Sequence, residues 1–389
     1  MKNRVRPAKY LFYYIPVLLL NITGIGVTIY LCLSHYWIYT DINYSSFCAI
    51  SKAINCDTVS QSAWSLMLGL PLAVWGLFGY LLFAVILFFA RKESPEGNAL
   101  WSVLLLLGIV YSAFSVYLGY VSGTKIHSYC IMCITSYLIS FVLMYTAWII
   151  RRRFSKEPFL ASLLKGFGCL WKDSSFRVTL IALFALFFLV RLFYPHYWQY
   201  SIPPASEDIA TGITDEDHPW IGAEHPEIII EEFSDYQCFQ CYKMHYVLRR
   251  LVAEHPERIR LIHRHYPLDH AFNPVVVPEP FHVGSGKMAL MAIYAAQTGN
   301  FWKVNDALFT LAQQSKDKTT FSTTKLAELT GIPSGAFSHA LKDQGCRRLL
   351  QIDIHRGLKL RVTATPSFVI GEDVYQGVIP AEILKDMIR

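Results

Sequence analysis

Apolar residues fill the first half of the chain in long, nearly unbroken runs, whereas the second half alternates short apolar runs with charged ones. Five runs reach or approach the ~20 residues that a membrane-spanning helix needs. They cover roughly residues 11–33, 66–90, 100–121, 130–150 and 176–194. The fifth is the weakest, because Arg191 stands near its end, where a long side chain can snorkel to the interface. The first run is too long for a cleavable leader, lacks a small-residue cleavage site and is followed by further spans, so it reads as a span. Residues 151–175 are basic, with interspersed Phe, Leu and Trp, and read either as an interfacial amphipathic helix or as a cytoplasmic linker. Residues 195–223 mix Pro, acidic and aromatic residues without a period and read as a linker. From Glu224 onward the pattern is that of a soluble α/β domain. Strands are predicted at 228–230 and 259–265, a closing hairpin at 367–370 and 374–378, and helices at 243–253 and 381–388. Residues 286–354 are helical in character, punctuated by Gly299, Gly331 and Pro333.

Composition agrees with a membrane protein: 53% of the 389 residues are hydrophobic and only 16% are charged. The net charge of +6 is not spread as on a nucleic-acid-binding surface. It is concentrated beside the apolar runs. Lys2, Arg4, Arg6 and Lys9, then Arg91 and Lys92, then the basic residues from Arg151 to Arg177 give thirteen positive charges on one side, against Lys52 and Lys125 on the other. The positive-inside rule places the N-terminus in the cytoplasm, and five spans carry the C-terminal domain outside.

Six of the nine cysteines form close pairs: Cys48 with Cys56, Cys130 with Cys133, and Cys238 with Cys241. The predicted topology puts all three pairs on the outer face, where disulfides persist. Cys238 follows a strand and opens a helix, so the unsatisfied amides there favour its thiolate, and Cys241 one turn later can resolve a mixed disulfide. A zinc knuckle would need two more ligands, and His245 is the only nearby candidate, so no metal is expected. Cys130 and Cys133 open the fourth span. Cys48 and Cys56 alone would more often staple a loop than relay electrons, and the nearby CxxC shifts that balance. Cys32, Cys169 and Cys346 receive no role.

The segment Glu232-Phe-Ser-Asp-Tyr-Gln-Cys238-Phe-Gln-Cys241, the helical insertion and Thr365-Pro366 ahead of a strand resemble the DsbA-like branch of the thioredoxin superfamily, over roughly 227–389. The resemblance implies a cis Pro366 facing the disulfide, with the Thr365 backbone presented to a substrate strand. It also implies that Glu232 lies beneath the disulfide and assists proton transfer; otherwise Glu232 is a solvated strand-end charge. His263 to Leu268 looks like the family's second strand and its exit. Phe239-Gln240 departs from the histidine-containing dipeptide of strong oxidants.

Cys56-Asp-Thr-Val-Ser-Gln-Ser62 and Leu68-Gly-Leu-Pro71-Leu-Ala-Val-Trp-Gly76, with the loop cysteine pair and the CxxC of the fourth span, resemble the bacterial vitamin K epoxide reductase family over roughly 11–150. Bacterial members are often fused to a thioredoxin-like domain. The resemblance implies that Cys130 and Cys133 reduce a quinone, with Cys133 nearest the ring. Cys56 would pass electrons to Cys130, and Cys48 would receive them from Cys238. Ser62 would donate a hydrogen bond to a quinone oxygen or serve in plain helix packing. Trp64, Trp75, Phe114 and Tyr117 are candidate pocket walls.

The fold class expected is therefore a membrane α-helical bundle, with a four-helix core plus a fifth transmembrane helix, followed by a soluble α/β thioredoxin-like domain. The expected divisions are 1–150, 151–223 and 224–389. The expected function is disulfide formation in exported proteins at a bacterial cytoplasmic membrane. Its cofactor is ubiquinone or menaquinone, and its partners are reduced exported proteins, the quinone pool and the bilayer, with no nucleic acid. Two alternatives are a reductase or isomerase running electrons outward, and a membrane-anchored chaperone with structural disulfides. The first needs an inner donor, and no cysteine pair faces the cytoplasm.

Overall fold

A computed structural model describes residues 10–41, 44–50, 53–199, 209–315 and 321–388. Lys2, Arg4, Arg6, Lys9 and Lys52, used above for topology, lie outside the described residues. The chain forms two compact units that divide at His196 and Tyr197, with residues 41–44 grouped with the second.

The first unit is helical. It contains α1 Tyr10–Thr40, α2 Cys56–Gln61, α3 Leu72–Phe89, α4 Pro95–Val121, α5 Ile131–Phe154, α6 Phe159–Lys172 and α7 Ser174–Phe193. Five of these, α1, α3, α4 (with the π-helical turn Ser122–Ile126), α5 and α7, are long and apolar enough to cross a membrane. The second span begins at Leu72, later than the apolar run suggests. Leu66–Met67 (β1) and Leu70–Pro71 (β2) form a small hairpin whose two turn residues, Leu68 and Gly69, both have positive φ. That is the backbone demanded by a two-residue hairpin turn. Helix starts follow local chemistry. Ser94 caps α4 through Gly97 N–H at 2.9 Å with Pro95 in the first turn, and Asp173 caps α7 through Phe176 N–H at 3.1 Å.

Packing inside this unit combines small residues with buried polar ties. A Cβ on Gly108 would fall 2.7 Å from the Met144 Cα, so only glycine lets α4 and α5 approach this closely. The buried Trp101 indole donates to the Tyr10 hydroxyl at 2.7 Å, which in turn donates to the Ala90 carbonyl at the end of α3. Three helices are thus fastened by groups that would be costly to leave unpaired. Phe187 of α7 packs against Trp75 and Phe78 of α3, each at 4.8 Å between ring centroids. The basic segment after α5 is a helix: α6 seats Ser162, Gly166 and Leu170 inward and leaves Leu160, Leu164, Phe167 and Trp171 exposed.

The second unit is built on a six-stranded sheet of order β3-β4-β6-β5-β7-β8. Its strands are β3 Thr211–Ile213, β4 Pro219–Gly222, β5 Ile228–Ser234, β6 Ile259–His265, β7 Ser367–Ile370 and β8 Asp373–Gln376. Among the described strands of this sheet, only β5 and β6 pair in parallel. Strands β3 and β4 occupy residues read from sequence as linker; they are short, and β4 pairs edge-on with β6 from Trp220 to Gly222. Helix α8, Phe239–Glu254, follows β5 directly. The helical stretch is α9 Ser285–Gln297, α10 Phe301–Gln314, α11 Thr323–Thr330, α12 Ser334–Ala340 and α13 Gln344–Lys359, and α14 Ala381–Ile388 closes the chain. Ile230, Phe233, Ile259, Leu261 and Phe368 are fully buried on the sheet, each worth about 1.5–3 kcal/mol over leaving it exposed. Helix α8 packs on this sheet chiefly against β6 and β4.

Candidate functional site

In the helical unit the two cysteine pairs meet through backbone pairing. The Asn55 amide donates to the Tyr129 carbonyl at 2.9 Å, and the Tyr129 amide donates to the Ala53 carbonyl at 2.8 Å. The next residues, Cys56 and Cys130, then start α2 and precede α5. Cys48 and Cys56 are disulfide-bonded. Cys48, Cys56 and Cys130 form one buried cluster, against which Leu31, Val59 and Cys133 pack. The loop is clamped from its other side, where the Asp57 carboxylate accepts from Ser46 N–H at 3.2 Å. Cys130 is the N-cap of α5, and its sulfur accepts from Cys133 N–H at 3.2 Å.

Cys133 sits one turn deeper and lines a cavity of about 760 Å³. Val59, Leu72, Trp75, Ile109, Phe114 and Leu118 give that cavity an apolar wall. Ser62 lines it as well, but its hydroxyl donates to the Val59 carbonyl at 2.7 Å and so presents only its lone pairs. The aromatic candidates Trp64, Trp75, Phe114 and Tyr117 are all on the wall. The sequence reading missed Tyr80, Tyr111, Ser136, Tyr137 and Ser140, which converge there from three different helices. Tyr80 is committed to Ser136 and Ser140, and Tyr111 to the Gly79 carbonyl at 2.8 Å. Tyr137 is placed one turn after Cys133 on α5, a spacing that could have flagged it.

The third pair opens α8. Cys238 is the N-cap and half-buried, whereas Cys241 is fully buried. The Thr365–Pro366 peptide is cis, and the Thr365 carbonyl lies 3.4 Å from the Cys238 sulfur. The sequence-predicted residues Cys238, Cys241, Thr365 and Pro366 therefore come together. The Cys241 thiol donating to it lowers the Cys238 thiol to about 7, against the opposing effect of burial; Cys241 is pushed up by burial and by its neighbour. Of the two, Cys238 is the thiol whose surroundings favour the thiolate.

Glu232 is fully buried on β5, not solvated. Burial works against its carboxylate, but the imidazoles of His245 and His263, each 3.6 Å from Oε2, hold it down at about 2. No hydrogen bond joins it to either thiol among the described residues. These three side chains are also the set whose ligand atoms, all within 4.8 Å of one another, could hold a metal ion. His263, on the neighbouring strand, is the member that spacing around the CxxC did not reveal.

The residue that organises the start of α8 is Asp235, fully buried. Its Oδ1 accepts from Gln237 N–H at 2.7 Å, Cys238 N–H at 3.1 Å and the His282 ring at 3.0 Å. Its Oδ2 accepts from Leu268 N–H at 2.6 Å and the Ser285 hydroxyl at 2.7 Å. An Asp three residues before a helix start is a turn signal, but nothing local announces partners near residues 268 and 282–285.

Comparison with known proteins gives these geometries a family. Residues 15–148 match the model of the Vitamin K epoxide reductase family, and residues 214–389 match a thioredoxin model. The first part is 31% identical over 114 residues to mouse "Vitamin K epoxide reductase complex subunit 1", covering 27% of this chain and 69% of the mouse protein. Among solved structures, a thioredoxin-like oxidoreductase from Silicibacter pomeroyi DSS-3 is similar at 21% identity and a TM-score of 0.37, covering 45% of this chain and 91% of that one. Pseudomonas aeruginosa DsbA2 is similar at 20% identity and a TM-score of 0.35, covering 43% and 91%. With its paired thiols, apolar helices and appended thioredoxin-like domain, the chain belongs to the vitamin K epoxide reductase family and carries two thiol–disulfide oxidoreductase domains.

Proposed function

We propose that this chain forms disulfides in exported proteins, passing electrons from clients to a membrane quinone, either ubiquinone or menaquinone. The observation that carries the reading is the division of labour at the head of α5: Cys130 packs against the Cys48–Cys56 disulfide, while Cys133 faces the apolar cavity. The thiol nearest the donor and the thiol nearest the acceptor are one helical turn apart.

Electrons enter at Cys238. A client thiolate attacks the Cys238–Cys241 disulfide at Cys238, and a second client thiol resolves the mixed disulfide, leaving an oxidised client and a reduced pair. The pair then reduces Cys48–Cys56, which in turn reduces Cys130–Cys133 through Cys56 and Cys130. A quinone, when bound, accepts two electrons and two protons. The cavity would admit such a ring in volume and polarity, and Cys133 and Tyr137, which line it, would hold the ring and deliver to it. In net terms, two client thiols become one disulfide for each quinone reduced to quinol. The charge bias of the loops supports a cytoplasmic N-terminus and an extracytoplasmic thioredoxin-like domain in a bacterial cytoplasmic membrane.

The test is turnover of the purified full chain in liposomes with a dithiol peptide and either quinone, without oxygen. One quinol should form per peptide disulfide, and Cys133→Ala should abolish quinol formation. Peptide oxidation that leaves the quinone untouched would sink the reading.

A further inference from the structure

We propose that His282, anchored by Asp235, is the positioning cation that makes Cys238 a strong oxidant's nucleophile. The proposal deepens the function above and rests on it for the direction of electron flow. Between the two cysteines stand Phe239 and Gln240, neither of which carries charge. Yet the disulfide-forming direction needs a stabilised thiolate, because a pair whose reduced form is stabilised is the more oxidising one.

The structure supplies a charge from elsewhere in the chain. One carboxylate oxygen, Asp235 Oδ1, accepts both the Cys238 amide at 3.1 Å and His282 Nδ1 at 3.0 Å. The imidazole is therefore tied to the same atom that ties down the start of α8. The other oxygen is held by Leu268 N–H and the Ser285 hydroxyl, so the carboxylate cannot swing away. The Phe281 ring stacks on His282 at 4.1 Å and 16°, fixing the imidazole plane. The His282 side chain keeps 17% of its surface exposed, while Asp235 is sealed. Among the titratable groups that act on the Cys238 sulfur are Cys241, His282 and Asp235. After the contribution of Cys241 and the opposing effect of burial, the charge of His282 lowers the thiol more than the charge of Asp235 raises it. The carboxylate spends its hydrogen-bonding capacity on backbone amides and the imidazole, which leaves the cation as the net partner of the thiolate.

The experiment measures Cys238 alkylation by iodoacetamide as a function of pH in the reduced full-length chain, read by peptide mass. It compares wild type with His282→Gln, which keeps an N–H for Asp235 without charge, and with His282→Lys, which restores a cation. We expect the midpoint to rise by about one pH unit in His282→Gln, so that alkylation at pH 6 slows roughly tenfold. His282→Lys should keep the low midpoint. In a glutathione buffer at about pH 9, above both midpoints, the Cys238–Cys241 pair of His282→Gln should shift about tenfold toward the disulfide, which is about 30 mV for a two-electron couple. Superimposed profiles for wild type and His282→Gln would overturn the proposal. So would a His282→Lys profile equal to that of His282→Gln, since that would show a packing role. Neither readout uses a quinone or a client, so failure of electron delivery to quinone with these shifts intact would count against the proposed function alone.

Discussion

Asn55 and Tyr129 share a hydrogen bond of 2.9 Å between backbone amide and carbonyl, and this bond sets Cys56 beside Cys130. With Cys133→Ala, the Cys130 thiolate should attack Cys56, break the Cys48–Cys56 bond and release Cys48 as a thiol. Mass mapping should then find a Cys56–Cys130 link. Adding Asn55→Pro removes the amide and should cut that link several-fold. Adding Asn55→Ala removes only the side-chain cap on Thr58 N–H and should leave the link in place. Equal yields in the two double variants would mean that the backbone pairing does not align the thiols.

Cys238 is half-buried at the helix start, and Cys241 is wholly covered beneath it. Cys241→Ala should therefore accumulate mixed disulfides between Cys238 and client proteins, visible as thiol-sensitive bands on non-reducing gels. Cys238→Ala should accumulate none. Comparable trapping by both variants would reverse the assignment of the nucleophile.

Much of this arrangement was legible in the sequence, for a physical reason. Span positions and helix starts are local properties, so the apolar runs and the two CxxC motifs found α1, α3, α4, α5, α7 and the head of α8. The Ile259–His265 strand and the Ala381–Ile388 helix follow the pattern residue for residue. What escaped depends on distant pairing. Strands β3 and β4 are too short to show a period and exist by docking on β6. The bridge from Ile54 to Tyr129 joins segments that share no local signal. The cavity wall takes Tyr80, Tyr111 and Tyr137 from three helices, each an ordinary membrane aromatic on its own. Asp235 reads as a turn residue until its bonds to residues 268, 282 and 285 are seen.

Acid should destabilise the thioredoxin-like unit in two stages. Burial, reinforced by His263 and His218, pushes the His265 ring well below 6.5. Its folded form resists protonation, so its contribution is present above pH 6.5 and declines as pH falls below that, by up to about 1.4 kcal/mol per unit. His245 has the opposite sign: against burial, Asp306 and Glu232 raise it, so its contribution is present below 6.5 and is lost at higher pH. Glu232, held at about 2, begins to lose its contribution only below about 4.5. Thermal melts between pH 6.5 and 5 should therefore show a falling midpoint that flattens in His265→Gln. An unchanged slope in that variant would refute the assignment to His265.

Topology can be read with reporters that are active only outside the cytoplasm. Fusions after Arg389 should be active and fusions near Ser94, in the turn between α3 and α4, should be silent. The reverse pattern would invert the orientation, and activity at both sites would point to four spans instead of five.

The cavity beside Cys133 makes the sharpest claim on the acceptor. Tyr80 and Tyr111 spend their hydroxyls on protein partners, so removing either oxygen would disturb helix packing as much as any ligand. Tyr137 differs: it shares the helix and the cavity with Cys133. A quinone oxygen bonded by its hydroxyl would lose about 1 kcal/mol on Tyr137→Phe, roughly a fivefold rise in the apparent quinone KM. On the proposed route the thiol steps lie upstream, so client trapping by Cys238 and formation of the Cys56–Cys130 link should be unchanged in that variant. Filling the cavity from another side with Gly79→Leu should hinder the quinone sterically and lower quinol formation, again with the thiol steps intact. The measurement is quinol formation against quinone concentration, alongside disulfide mapping of the same samples. If Tyr137→Phe and Gly79→Leu both retain wild-type quinone kinetics, the acceptor does not bind in this cavity, and the outlet for electrons from Cys133 must be sought elsewhere on the helical unit.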